Sequence, residues 1–164
     1  MKKIIKNSLL GLIYLLVIFI LAIFFITTAK ADLIKPNGNI EPHQVIKIQL
    51  KGLKENDSPS KDNGINQAWE FAHPDNQKNT GPLGNFKSMI KGKSYGMLLN
   101  HLDHKVVEIK STDSRVLFEV TVLDKDKTYY KFNWTVEKYT AEGLLKNCWL
   151  TTMVSVPMPL GSSV

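Results

Sequence analysis

Apolar and polar positions follow three different patterns along this chain. The first is no alternation at all: from Leu9 to Ile26, eighteen residues pass without a charge. As a helix that run is about 27 Å long, close to the thickness of a bilayer's hydrocarbon layer. Residues 1–31 therefore read as a signal peptide or membrane anchor helix. Residues 32–41 follow as a polar linker carrying Pro36, Asn37, Gly38 and Asn39.

The second pattern has a helical period. Ile46, Leu50 and Leu53 recur at spacings of four and three behind Pro42, which suits a first helical turn. The same stretch also alternates as Ile46, Ile48, Leu50, so a strand is the minority reading. The polar stretch Glu55 to Gly64 ends this element. Ile65, Ala68, Trp69 and Ala72 repeat at i, i+3, i+4 and i+7, which predicts a second amphipathic helix. His73-Pro74-Asp75 stops it. A loop over Asn76 to Gly84 and a short third helix through Phe86, Met89 and Ile90 come next, the helix ending near Gly92.

The third pattern has period two. Tyr95, Met97 and Leu99 alternate, and Val106, Val107 and Ile109 make another run. Val116, Phe118, Val120 and Val122 alternate strictly. Tyr130, Phe132, Trp134 and Val136 do the same after a turn at Asp124–Lys127. Cys148, Leu150, Thr152, Val154 and Val156 form the last predicted strand. Pro157, Pro159 and Gly161 mark residues 157–164 as an irregular tail. Helices followed by a meander of strands predict an α+β domain over residues 42–156, with short links that favour antiparallel pairing. The aromatic face Tyr130, Phe132, Trp134 is the expected inner side of the sheet, covered by two or three helices.

Charge changes the picture less than its total suggests. The 164 residues carry a formal +6. Lys2, Lys3, Lys6 and Lys30 belong to the leader, where no acid occurs, and removing those four leaves +2 for residues 32–164. A near-neutral domain with scattered lysines lacks the concentrated positive face that displaces counterions from nucleic acid, so no nucleic acid is expected as partner. The three early lysines instead hold the N-terminus of the apolar run on the cytoplasmic side and send the domain to the other side. Ala29-Lys30-Ala31 is a small-x-small cleavage pattern, whereas the length of the run suits a retained single-pass anchor. In both cases the domain lies outside the cytoplasm and the leader contacts membrane. The single cysteine, Cys148, excludes an intramolecular disulfide and reads as a small core hydrophobe.

Val45, Gln49-Leu50, Leu53, Asn56-Asp57, Asp62, Gly64-Ile65, Phe71-Ala72, Pro74, Phe86, Tyr95 and Leu98-Leu99 stand in the order seen in the domain of unknown function 4864 family. Cys148-Trp149-Leu150-Thr151 resembles that family's last strand. The similarity spans roughly Pro42 to Val156. That family looks like a branch of the nuclear-transport-factor-2-like superfamily. The resemblance implies a cone-like curved antiparallel sheet wrapped around helices, a shape that can hold a cavity. It also implies a relative from cyanobacteria or plastid-bearing organisms, hence a periplasmic or thylakoid-lumen address. Members of the superfamily pair through the open sheet face, which makes a homodimer a candidate assembly. The superfamily holds isomerases, dehydratases and binding proteins, so the fold alone assigns no function.

The chemistry on offer is sparse. His101-Leu102-Asp103-His104 offers two imidazoles and a carboxylate, the residue types that ligate a metal. On the strand or turn expected there, His101 and His104 point in different directions, so a polar turn is the plain reading and no metal is assigned. No acid–base pair falls on adjacent inward positions, so no catalytic residue and no cofactor are assigned. Trp69, Phe71, Tyr95, Tyr130 and Trp134 are the ligand-pocket candidates, with plain core packing as their alternative. Asn133-Trp134-Thr135 matches a glycosylation acceptor but sits inside a predicted strand. Two functions remain: a membrane-targeted, non-catalytic domain that binds a protein or small apolar ligand, or a small lyase or isomerase with a cavity acid or base.

Overall fold

The computed structural model describes residues 32–162. The leader, and with it the choice between signal peptide and anchor, lies outside the described residues. No helix among the described residues is long and apolar enough to cross a membrane.

Helix α1, Pro42–Lys54, starts with proline at its first position, and Gln44 Oε1 accepts from the Glu41 N–H at 2.8 Å. Its spacing of apolar residues puts Val45, Ile46, Leu50 and Leu53 on one buried face, together with Gln49. Helix α2, Asn63–Glu70, packs back onto α1, burying Ile65 and Ala68. The approach is close because both helices carry glycine at the crossing. A Cβ on Gly64 would stand 1.9 Å from the Gly52 carbonyl oxygen and 2.8 Å from Asn56 Cα.

The turn between the two helices is tied by its own polar groups. The Asn56 carbonyl accepts from Gly64 N–H at 2.9 Å, and Asn56 Oδ1 accepts from Ile65 N–H at 3.1 Å. Asp57 Oδ1 accepts from Asp62 N–H at 2.9 Å. These bonds satisfy the first free amides of α2, which otherwise have no intrahelical partner.

Helix α3, Pro74–Thr80, fills what the sequence presents as a loop. It buries none of its residues, so it carries no apolar periodicity to read. Its start is fixed by Pro74 and by His73 Nδ1, which accepts from Asp75 N–H at 3.2 Å. Helix α4, Leu83–Lys91, follows as expected, with Ile90 buried. Lys91 reaches Asp62 with its ammonium 2.7 and 2.8 Å from the two carboxylate oxygens. The strand expected through Tyr95, Met97 and Leu99 is instead a single 3-10 turn, Gly96–Leu98.

Strands β1 (Asp103–Ser111), β2 (Arg115–Leu123), β3 (Thr128–Lys138), β4 (Trp149–Val154) and β5 (Met158–Ser162) form one antiparallel sheet. The order is β1-β2-β3-β4, and β5 also pairs with β3. β4 takes the Trp134–Lys138 end of β3, and β5 takes the Thr128–Lys131 end on the same side. The segment expected to be an irregular tail is thus a sheet edge. Pro159 is tolerated there because an edge strand has a side on which no N–H is needed. Ser155 joins the two pieces: its N–H donates to the Asn133 carbonyl and its Oγ accepts from the Asn133 N–H, both at 2.9 Å.

Register places Val116, Phe118, Val120 and Val122 of β2 opposite Val136, Trp134, Phe132 and Tyr130 of β3. This is the inner face, as the alternation predicts, and it packs with α1, α2 and Phe71 into one core. Each fully buried Leu, Ile or Phe contributes about 1.5–3 kcal/mol relative to exposure. Register shifts interrupt β1 at Glu108–Lys110 and the β3–β4 pair at Thr135–Val136. Such bulges bend a strand and increase its twist, and the five-stranded sheet curves over the helices accordingly.

The linker is fastened to the domain. Ile34 N–H donates to Gln67 Oε1 and Gln67 Nε2 donates to the Ile34 carbonyl, both at 2.8 Å, and Lys35 pairs with Glu70 at 2.8 Å.

Candidate functional site: an apolar cleft with a closed polar floor

A half-open cleft of about 240 Å³ lies where α2, α4 and the 3-10 turn face β4. Trp69 and Ala72 come from the second helix segment, Phe86 and Met89 from α4, Tyr95 from the turn, and Trp134 from β3. Trp69 and Phe86 meet with ring centroids 4.9 Å apart and planes at 50°, a favourable tilted pair. These groups converge because α4 packs on α2 rather than on the sheet, which leaves space above β4.

The floor is polar yet closed. Trp134 Nε1 donates to Thr151 Oγ1 at 3.1 Å, and the Thr151 hydroxyl donates to Gln49 Oε1 at 2.6 Å. Gln49 Nε2 then donates to the Ala68 carbonyl at 2.9 Å. Asn76 Nδ2 donates to the Thr151 carbonyl at 3.1 Å. Trp134, Thr151 and Gln49 are all buried, so each would suffer a desolvation penalty if left unpaired. Tyr95 is the one titratable side chain in the wall, and its hydroxyl donates to the Val154 carbonyl at 3.3 Å.

Trp69, Tyr95 and Trp134 therefore meet in the cleft. Phe71 is fully buried in the core beneath it, its carbonyl accepting from Thr151 N–H at 2.8 Å. Tyr130 sits at the other end of the sheet, beside a shallow depression bordered by Lys91, Lys93, Asp124 and Asp126. Gln49 and Thr151, which carry the floor, are the residues that sequence reasoning passes over. The available signal was Gln49 itself, a polar residue three and four positions from Ile46 and Leu53 on an apolar helical face.

The histidines of the His101–His104 segment do not diverge as expected. His101 Nε2 and His104 Nδ1 lie 2.8 Å apart, and His101 Nδ1 is 2.8 Å from the Leu98 carbonyl. Asn100, at φ 55, turns the chain so that both rings fall on one side. A carbonyl only accepts, so His101 Nδ1 carries the proton. His101 Nε2 then accepts from His104 Nδ1–H. Burial pushes both imidazoles below their ordinary range. Lys54 adds to this for both, and the neighbouring imidazole adds to it for His101. Among the described residues no three His, Cys, Asp or Glu side chains cluster as a metal would require. Cys148 is buried, and burial pushes its thiol up, away from the reactive thiolate.

The turn motif Asn56-Asp57, Asp62, Gly64-Ile65 and the cleft residues Phe86, Tyr95 and Leu98 all lie within residues 37–152, the span over which the chain matches a family described as a domain of unknown function. No curated protein and no solved structure matches the chain. With the match covering most of its length, the chain belongs to the domain of unknown function 4864 family.

Proposed function

We propose that this is a membrane-targeted, non-catalytic binding protein whose domain takes a small, uncharged, largely apolar molecule into the cleft. One observation carries the reading. The wall is mainly aromatic and aliphatic, with Asn76, Thr80 and Thr152 as its other polar members, while the donors and acceptors of the floor are spent on one another through Trp134, Thr151, Gln49 and Ala68. Such a floor offers a ligand no free hydrogen bond and no charge, so affinity comes mainly from apolar contact. At about 240 Å³, the cleft falls below the roughly 300 Å³ at which drug-sized sites begin. A ring system or a short hydrocarbon segment fits that size, and a whole lipid does not.

The address rests on the leader: three lysines, an eighteen-residue apolar run and a small-x-small sequence at its end. The order of helices before a curved sheet supports placing the domain in the nuclear-transport-factor-2-like superfamily.

Titration with the uncharged fluorophore N-phenylnaphthylamine tests the site. The wild-type domain is expected to enhance its emission saturably, and Met89→Arg, a charge at an exposed rim position of the cleft, to weaken binding at least tenfold, about 1.4 kcal/mol. Equal affinity in the two proteins would refute the cleft as the site. N-terminal sequencing of the mature protein tests the fate of the leader: a chain starting at Asp32 means a removed signal peptide, and one starting at residue 1 means an anchor.

A further inference from the structure

We propose that His101 and His104 form a proton-operated latch on the wall of the cleft, releasing its ligand as the surroundings become acidic. The proposal rests on the cleft being the binding site. Its geometry is independent of the cleft floor. His101 holds the Leu98 carbonyl, and Leu98 is a buried residue of the cleft wall at the end of the Gly96–Leu98 turn. Tyr95, at the start of that turn, is a second wall residue. The next backbone anchor is Asn100 N–H, which donates to the Leu53 carbonyl at 2.9 Å, and Leu53 also borders the cleft. The imidazole pair therefore sits directly behind the segment that closes one side of the site.

The pair accepts its two protons unequally. A first proton goes to the outer nitrogen of His104, Nε2, and leaves the His104 Nδ1–H···Nε2 His101 bond intact and charge-assisted. A second proton goes to His101 Nε2, so that two N–H groups face each other across 2.8 Å. They must separate. The groups facing the pair favour release at that point. From α1, Lys54 adds a third positive charge. From β1, Asp103 supplies the one negative charge that acts on the pair among the described residues. β2 contributes Val122, opposite His104 in register and uncharged. His104 is half-exposed on the edge strand, whereas His101 is buried, so His104 is the ring with the shorter way to water. Once parted from its neighbour, a charged, buried His101 has no acceptor at Nε2. Its Nδ1–H still donates to the Leu98 carbonyl, a bond that favours the charged ring, so the wall is released only as the ring follows His104 towards water and draws Nδ1–H off that carbonyl. Titrations of so close a pair belong to the pair rather than to either ring.

Glutamine at position 104 separates this mechanism from a general acid effect. Its amide donates to a neutral His101 Nε2 and, rotated, accepts from a protonated one. Both protonation states of His101 are then satisfied.

The experiment measures N-phenylnaphthylamine affinity at about pH 7.5 and about pH 5, on either side of the ordinary histidine range, for the wild type and His104→Gln, with far-UV circular dichroism at both pH values. The wild type is expected to bind about tenfold more weakly at the lower pH, the effect of one proton's differential uptake, with its dichroism unchanged. His104→Gln is expected to change less than about twofold, well inside that tenfold range. Binding at the higher pH with no loss at the lower one overturns the latch and leaves the cleft standing. So does an undiminished loss in His104→Gln, or a loss that accompanies collapse of the dichroism. Absence of binding at both pH values overturns the cleft, and the latch with it.

Discussion

The Thr151 hydroxyl donates to the Gln49 side-chain oxygen at 2.6 Å across 102 residues of chain, tying β4 to α1 beneath the cleft. The hydroxyl oxygen, Thr151 Oγ1, in turn accepts from Trp134 Nε1, so one hydroxyl satisfies two buried partners on two different elements. Thr151→Val keeps the shape and removes both bonds. It is expected to destabilise the domain by about 3 kcal/mol, because two buried groups are left unpaired at about 1–3 kcal/mol each. Thr151→Ser keeps the hydroxyl and loses one methyl, for about 1 kcal/mol. Urea unfolding distinguishes the two, and equal losses would show that the hydroxyl carries no special weight.

Gly64→Ala is expected to destabilise by about 3 kcal/mol, the upper end of the overpacking range. The added Cβ meets backbone on both sides, the Gly52 carbonyl and Asn56 Cα, and backbone cannot rotate away. Gly84→Ala, on α4 with nothing within 4 Å of the added carbon, is expected to be neutral or slightly stabilising through helix propensity. Thermal unfolding of the two variants side by side checks the contrast.

Much of the fold was legible where burial writes a period into the chain. α1, α2 and α4 showed their apolar faces, and β2 and β3 alternate as their register requires. α3 was invisible because it buries nothing. The Tyr95, Met97, Leu99 alternation misled because a single 3-10 turn can mimic period two over so few residues. The last strands were half legible. A register shift places Thr151 and Val154 opposite the inner residues Val136 and Trp134, whereas simple alternation groups Val154 with Leu150 and Thr152. That shift is why Thr151 was overlooked as the centre of the cleft floor. Trp69, Tyr95 and Trp134 stood out as aromatics, but their meeting in one cleft depends on how α4 and the 3-10 turn fold over β4.

Stability should fall with acid in two stages. Both His101 and His104 titrate below their ordinary value in the folded chain, so the unfolded chain binds more protons once pH drops below about 6.5. Stability present above that pH is lost as pH falls through the folded values. Asp62, held below its ordinary value by its bond to Lys91, contributes stability that persists to lower pH and is lost below about 3.8. Urea midpoints across the pH range are expected to show an upper step that His104→Gln reduces and a lower one that it leaves alone. A flat profile between about pH 7 and pH 5 would contradict the upper step.

Lys91→Met tests the link between α4 and the turn. It leaves Asp62, buried and in a left-handed conformation at φ 64, with Lys87 at 3.9 Å as its nearest cation. The expected loss is about 1–3 kcal/mol, together with weaker probe binding, since α4 supplies Phe86 and Met89 to the cleft. Measuring both quantities on one variant checks that the cleft depends on the seating of α4.

The three tryptophans report most directly on where a ligand sits. Trp69 and Trp134 line the cleft, whereas Trp149 lies under Lys138, 5.1 Å from its ammonium, beside a different depression. In a proton–nitrogen correlation spectrum titrated with N-phenylnaphthylamine, the indole resonances of Trp69 and Trp134 are expected to shift together and saturably while that of Trp149 stays in place. Shifts confined to Trp149, or equal at all three, would contradict binding in the cleft.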